Sequence, residues 1–248
     1  IDYIVTKIPR FTFEKFSDTE EKLGTSMKSI GECMAIGRNF KESFLKAIRS
    51  LEIGLNGLDI SPKIKKMSKK NLSNLLKKNI PNKFLVIAQA LRMGIKNEEV
   101  AKISNYDQWF INEIADLVKT EKKLKESSLN RELYLQAKSQ GFSDEKIIEL
   151  KKENVTKIKK IKKKFDLKAS YRNIDTCAAE FSSVTPYMYS SWVSSDYSSN
   201  FEKETDITNK KKVIIIGGGP NRIGQGIEFD YCCVHSSYAI REMGFESI

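Results

Sequence analysis

The sequence predicts a mainly α-helical chain that ends in the first strand and helix of a parallel α/β sheet. From residue 27 to residue 165, apolar side chains recur three or four positions apart between glycine and proline breaks, which is the period of an amphipathic helix. Residues 213–216 form a continuous apolar run followed by three glycines, as in a buried strand that turns into a helix. Residues 166–209 differ in composition, and within them residues 182–199 show no helical stripe, which indicates an extended connector.

Composition places the chain among ordinary globular proteins. Its 248 residues are 40% hydrophobic and 30% charged, and such a length can bury a core. The net charge is +11, carried by 35 lysines against 8 arginines. Because arginine is the residue that forks onto phosphate and guanine, this ratio favours a solvated lysine surface over nucleic-acid binding. No transmembrane run or signal peptide is recognisable, so we expect a cytoplasmic protein.

The cysteines do not predict a metal site. Cys33, Cys177, Cys232 and Cys233 form no C-x-x-C pair, and His235 is the single histidine. A zinc site needs about four clustered nitrogen or sulfur ligands. We therefore expect thiols without a metal, as in a reducing compartment.

Several helix starts can be placed from capping chemistry. Asn39, Ser68, Asp107 and Ser143 each precede an apolar stripe, and all four side chains are good N-caps. Glu42 follows Asn39 by three positions, as in a capping box. These residues predict four helices that begin immediately after them.

Two helix–turn–helix corners are predicted by an internal similarity. Residues 94–100 and 141–147 share the order glycine, apolar residue, cap, acidic first turn. The same shape occurs in DNA-reading motifs. A basic helical nucleic-acid-binding protein is therefore the alternative function, and it predicts a steep loss of DNA affinity as salt rises.

The remaining segments are short. Residues 1–16 alternate apolar and polar side chains and predict an extended segment that Pro9 ends. In the connector, the aromatic side chains predict that it is packed against the helical body rather than free. They are Tyr187, Tyr189, Trp192 and Tyr197.

The glycine-rich turn near residue 217 is the sharpest chemical feature. A strand at 213–216, a helix from about Gln225 to Glu242 ended by Gly244, and a second strand entering at 245–248 are predicted. Gly217 and Gly219 resemble a dinucleotide fingerprint, but an arginine occupies the position of its third glycine. An oxidoreductase is thus a weak alternative to a simple tight turn. One βα unit cannot bury its own faces, so we expect a piece of a longer chain.

The string from Gly217 to His235, GGGPNRIGQGIEFDYCCVH, resembles the opening of the second synthetase half of carbamoyl phosphate synthetase. Residues 2–11, 27–38 and 175–181 resemble further segments of that large subunit in the same order. The resemblance covers nearly the whole chain. It implies an internal fragment centred on the oligomerisation domain.

The resemblance also implies a division into four parts. Residues 1–26 would end the first, carboxyphosphate ATP-grasp half, and residues 27–165 would be the helical oligomerisation domain. Residues 166–209 would be the extended linker. Residues 210–248 would begin a second, Rossmann-like pre-ATP-grasp domain.

The family implied is an ATP-dependent ligase that makes carbamoyl phosphate from bicarbonate, glutamine-derived ammonia and two ATP. The product feeds pyrimidine or arginine biosynthesis, and the sequence leaves both pathways open. The implied partners are the flanking ATP-grasp domains, a glutaminase subunit or domain and a second copy of the helical domain, without nucleic acid or membrane. ATP and Mg²⁺ (or Mn²⁺) would act in the complete enzyme, and no catalytic, cofactor or metal residue is expected in this part.

The resemblance assigns one site to this chain, the wall of a tunnel that carries carbamate between the two synthetase halves. Gly224, Gln225 and Gly226 would line it, and Arg222 would attract the anion. Glu228 would pair with Arg222 or relay a proton. Glu228 also suits a helix start, where a carboxylate complements the dipole, and both roles stay open.

Overall fold

The computed structural model describes residues 3–15, 18–164, 168–175, 177, 180–181, 183, 185, 187–192, 208–219 and 228–248. The described strands are β1 (Ile4–Arg10), β2 (Gly31–Gly37), β3 (Ser170–Asn173), β4 (Met188–Ser191), β5 (Lys212–Val213) and β6 (Glu246–Ser247). The described helices are α1 (Phe40–Ser50), α2 (Pro62–Lys65), α3 (Lys69–Leu76), α4 (Lys83–Arg92), α5 (Asn97–Ser104), α6 (Gln108–Glu126), α7 (Arg131–Ser139), α8 (Asp144–Lys151), α9 (Val155–Lys164) and α10 (Glu228–Glu242). The mainly α prediction is confirmed.

All four predicted N-caps are confirmed. The side chains of Asn39, Ser68, Asp107 and Ser143 each accept a backbone N–H in the first turn of α1, α3, α6 and α8. Asn130 caps α7 in the same way, although the sequence pattern did not single it out. Capping supplies partners for N–H groups that the helix itself leaves unpaired.

Both predicted helix corners are present and use the same backbone geometry. Gly94 and Gly141 have φ of 76° and 91°, in the left-handed region that ends many helices. Ile95 N–H bonds to Ala90 O, and Phe142 N–H bonds to Ala137 O. Each corner therefore closes its helix with an equivalent hydrogen bond before the next helix starts.

The predicted helical pattern from residue 27 onward is wrong over β2. This strand pairs antiparallel with β1, and Cys33 and Ala35 alternate inward against α1. The period-two burial of β2 comes from its pairing with β1, which a local helical period does not reveal. β1 also continues through Pro9, although Pro9 was predicted to end it. Proline has no backbone N–H to donate, and a strand with a free edge tolerates such a residue.

One apolar core holds β1, β2 and the helices together. Its fully buried large side chains come from α1, α3, α4, α6 and α7, together with two loop residues. They are Tyr134, Leu45, Ile48, Leu51, Leu58, Leu72, Leu76, Ile87, Ile111, Ile114, Leu117 and Leu124. Burial of such side chains contributes about 1.5–3 kcal/mol each, so this core is the main source of stability.

The predicted connector is partly ordered as an antiparallel pair of strands. β3 pairs with β4 over four positions, so the segment is more than an extended chain. Tyr189 is buried and Trp192 packs on the helical core, as predicted, whereas Tyr187 is 67% exposed. Tyr197 lies outside the described residues.

The C-terminal region has the predicted order of strand, helix and strand. β5 pairs in parallel with β6, and Ile215 N–H also bonds to Ile248 O. Gly244 ends α10 with φ of 83°, as predicted. The expectation of a strand buried on both faces is wrong for this chain, because Ile214 is 70% and Ile216 is 88% exposed. Within the described residues, only β6 pairs with β5.

The cysteines differ in their exposure to solvent. All four thiols are free, Cys33 is buried, Cys233 is half-buried, and Cys177 and Cys232 are exposed. Burial is the main reason why the pKa of the Cys33 thiol is raised. Among the helices in the described part of the chain, none combines the length and hydropathy needed to cross a bilayer.

Candidate functional site

The residues predicted to line the tunnel cannot be placed. Arg222, Gly224, Gln225 and Gly226 lie outside the described residues, and Glu228 is described only as the first residue of α10. The glycine turn just before them is described as far as Gly219. Gly219 has φ of 74°, and a β-carbon there would lie 3.0 Å from Glu52 Oε1. This position therefore favours glycine for its backbone, whereas the Glu52 carboxylate is the end of a flexible side chain and could move aside.

A polar joint attaches the connector to the helical body. We call β3, β4 and Trp192 the strap, and Glu42, Lys46 and Ser191 the joint. Glu42 lies in the first turn of α1 and is 1% exposed. Its Oε2 accepts hydrogen bonds from the backbone N–H of Arg38 at 2.8 Å and from Ser191 Oγ at 2.9 Å.

Lys46 completes the joint one turn further along α1. Its Nζ lies 3.0 Å from Glu42 Oε1 as an ion pair, although Oε1 lacks a partner in hydrogen-bonding geometry. The same ammonium donates to Ile36 O at 2.9 Å and to Ser190 O. One charge pair therefore links β2, α1 and β4. A buried carboxylate is tolerated only with such partners.

Close packing around Glu42 fixes two glycines. A β-carbon at Gly37 would lie 2.8 Å from Ser43 N, and one at Gly141 would lie 2.9 Å from Glu42 Cα. Arg49 also donates to Gly141 O at 2.6 Å, and Asn39 Nδ2 donates to Ser139 O. The start of α1 is thus pressed against the corner between α7 and α8, where the strap also arrives.

Trp192 follows Ser191 directly and packs against α7 and α9. Its ring meets Tyr134 edge-on with centroids 6.0 Å apart, and the ammonium groups of Lys138 and Lys162 lie 4.9 and 5.5 Å from its centroid. Asp144 holds these groups in place. Its carboxylate accepts from Tyr134 at 2.9 Å, Lys138 at 3.0 Å and Lys162 at 2.9 Å.

Burial and neighbouring charges shift the pKa values of the groups around Trp192 in different directions. Burial by itself would raise the pKa of Asp144, but the charge of Lys138 and hydrogen bonds from Lys162, Lys138 and Tyr134 outweigh it and lower that pKa. Burial lowers the pKa of Lys138, and Asp144 opposes that change. Burial and the neighbouring carboxylate raise the pKa of the Tyr134 hydroxyl. The hydrogen bonds and ring contacts of this cluster attach the strap to the helical body.

Metal-ligating side chains do not cluster in the part of the chain that the structure describes. No group of three or more His, Cys, Asp or Glu side chains able to hold a metal ion occurs among them. Mg²⁺ in nucleotide sites is held by carboxylates together with phosphate oxygens. The acidic groups near the strap are already engaged by lysines.

The joint was only partly visible in the sequence. The position of Glu42 relative to Asn39 predicted a capping role, and the carboxylate does accept a backbone N–H at the helix start. Its contact with Ser191 spans 149 positions. No local pattern marks such a pair, and Asn130, Asp144 and Lys46 were also not predicted as parts of any site.

Fold and joint together define a mainly helical module, tied by a short strap and followed by the start of a parallel α/β unit. Residues 32–166 match the family model of the carbamoyl-phosphate synthetase large chain oligomerisation domain. Residues 209–248 match the carbamoyl phosphate synthase preATP-grasp domain. The chain belongs to the carbamoyl phosphate synthase large-chain family.

Curated relatives match over the whole of this chain. Carbamoyl phosphate synthase large chains from Brucella melitensis and Vibrio parahaemolyticus are 44% and 45% identical to it. The arginine-specific, chloroplastic large chain of Oryza sativa subsp. japonica is 46% identical. The chain spans 21–23% of the length of these relatives.

Proposed function

We propose that this chain is the oligomerisation and connecting segment of a glutamine-dependent carbamoyl phosphate synthetase. The match of the helical body to the oligomerisation domain carries the proposal. In the complete enzyme, bicarbonate, glutamine-derived ammonia and two ATP would give carbamoyl phosphate, with ATP and Mg²⁺ (or Mn²⁺) bound elsewhere and a glutaminase as partner. We propose the cytoplasm as its compartment, although the rice relative is named chloroplastic.

The four predicted parts remain our proposal for the domain organisation, with boundaries at residues 1–26, 27–165, 166–209 and 210–248. The β5–α10–β6 unit would open a Rossmann-like pre-ATP-grasp domain. Ile214, Ile216 and Tyr238 are exposed on this unit. A parallel sheet has both faces covered in folded proteins, so this apolar surface supports further strands and helices packing on it.

The tunnel wall is proposed for Arg222, Gly224, Gln225, Gly226 and Glu228. Replacing Gly226 by tryptophan in the complete synthetase is expected to block carbamate transfer, because a large side chain would fill the passage. Bicarbonate-dependent ATP hydrolysis and ATP synthesis from carbamoyl phosphate should persist within about twofold, while overall synthesis falls at least about tenfold. Normal overall synthesis by Gly226→Trp would contradict the tunnel role. Val155→Trp is the control, since Val155 is 53% exposed on α9.

An aromatic surface at the start of α6 is proposed for self-association. Tyr106 is 37%, Trp109 50% and Phe110 41% exposed. Trp109 and Phe110 both pack edge-on against Phe40 at 5.3 Å, beside an apolar groove of about 810 Å³. Aromatic anchors next to a groove are typical of interface centres.

Self-association can be measured by sedimentation velocity over a range of protein concentrations. We expect the wild-type chain to associate, and Trp109→Lys to weaken its association at least about tenfold because it buries a charge at the interface. Val155→Lys is the matched control, since Val155 is 53% exposed on α9. A wild-type monomer at every concentration, or an equal loss in the control, would argue against this surface.

The nucleic-acid alternative gains no support from the described residues. The corner at Gly141 is packed against Glu42 of α1, so it serves the core of the helical body. A binding assay at low salt would still detect such an activity, because phosphate contacts are strongest there.

A further inference from the structure

A polar cavity of about 700 Å³ lies among α4, α6, α8 and the residues around α2, on the helical body. Its volume is within the range of small-molecule sites. The described residues of the strap do not line it. It is therefore a candidate ligand site separate from the features described above.

The floor of this cavity carries polar groups without partners. Gln89 lines it and is only 7% exposed, yet its side-chain amide has no hydrogen-bond partner among the described residues. Arg92 follows three positions later, on the same face of α4. Its Nε and Nη2 donate to the carboxylate oxygens of Glu121, both at 2.8 Å. Nη2 also donates to Leu58 O at 2.7 Å. Its Nη1 has no acceptor in the described part of the chain.

The amide of Gln89 opens onto the cavity and is not sealed from water, so its N–H₂ and C=O groups are available to a ligand. A ligand that accepts from Gln89 and from Nη1 of Arg92 would use donors that have no protein partner in the described part of the chain. The guanidinium is already oriented by its fork onto Glu121. Such pre-orientation reduces the ordering that binding would require.

The charge around the cavity selects an anion. Six cationic side chains and three carboxylates line it, for a net charge of +3. Glu121 is neutralised by Arg92, and Asp59 and Glu149 both pair with Lys146. The excess positive charge comes from exposed lysines that have no acidic partner among the described residues. They are Lys65, Lys125 and Lys152.

We propose that this cavity binds a small anion with two phosphoryl groups. One group would accept from the amide of Gln89 and from Nη1 of Arg92 on the floor. The other would lie among the exposed lysines. A single carboxylate would leave most of the surplus charge uncompensated, whereas a diphosphate matches it, and phosphoryl oxygens are strong acceptors for guanidinium and ammonium donors.

Titration calorimetry of the full chain with inorganic pyrophosphate at low ionic strength tests the proposal. We expect one site per chain, with affinity falling as salt screens the lysines. The double variant Lys65→Gln, Lys125→Gln should weaken binding at least about tenfold, and Gln89→Leu at least about fivefold. Circular dichroism checks that each variant is folded.

The matched control removes the same charge from exposed positions of α6. Lys119→Gln with Lys122→Gln changes side chains that are 76% and 74% exposed and outside the cavity, and it should keep affinity within about threefold. Absence of pyrophosphate binding to the wild-type chain would overturn the proposal. So would equal losses in the two double variants, or full affinity in a folded Gln89→Leu variant. A monomeric chain that still binds would separate this site from self-association.

Discussion

Replacing Glu42 by alanine is expected to lower the free energy of unfolding by about 3 kcal/mol. The carboxylate is 1% exposed and holds the N–H of Arg38 and the hydroxyl of Ser191. Its loss would leave these donors unpaired and Lys46 without its counter-charge. Urea unfolding followed by circular dichroism measures the change.

The control for this experiment is Glu126→Ala, because Glu126 is a 63% exposed glutamate whose nearest cation, Lys122, is 4.0 Å away. Such an ion pair contributes less than about 1 kcal/mol. Glu42→Gln keeps the shape of the side chain, so its free energy of unfolding should lie between those of the wild type and Glu42→Ala. If Glu42→Ala lowers the free energy of unfolding no more than Glu126→Ala does, the joint does not stabilise the attachment of the strap.

The second large effect is expected at Gly141. Alanine there must adopt φ of 91° and would place its β-carbon 2.9 Å from both Cα and O of Glu42. The left-handed backbone costs about 1–2 kcal/mol, and overpacking against backbone atoms costs about 1–3 kcal/mol more. We therefore expect Gly141→Ala to lower the free energy of unfolding by about 2–5 kcal/mol in the same urea experiment.

Gly94→Ala provides a matched comparison within the same chain. Gly94 also ends a helix, with φ of 76° and equivalent backbone hydrogen bonds, but a β-carbon at this position would have no described atom within 4 Å. This variant should lower the free energy of unfolding only by the cost of the left-handed backbone, about 1–2 kcal/mol. The difference between the two variants measures the contact between α1 and the α7–α8 corner. Equal losses would mean that this contact is looser than the structure indicates.

Local chemistry made the helix ends predictable. Asn39, Ser68, Asp107 and Ser143 cap their own first turns, and Gly94 and Gly141 close helices with bonds to residues a few positions away. Because each of these interactions is completed within one turn of the chain, the sequence around it contains all the partners.

Strand pairing was less predictable. β2 was expected to be helical, and its alternation makes sense only beside β1, from which it is separated by a long loop. The β3–β4 pair was expected to be a plain connector for the same reason. The register of a strand depends on its partner strand, so the sequence of one strand does not by itself reveal how that strand pairs.

By itself, the sequence determined the mainly helical body, the helix boundaries set by caps and glycines, the strand–helix–strand order at the C-terminal end and the family resemblance. The tertiary structure decided which charged groups become buried and which side chains they contact. Glu42 meets Ser191, Asp144 meets Lys162, and Gln89 faces a basic cavity. Burial and long-range pairing fix the energy of a polar group, and both are properties of the folded chain rather than of any local stretch.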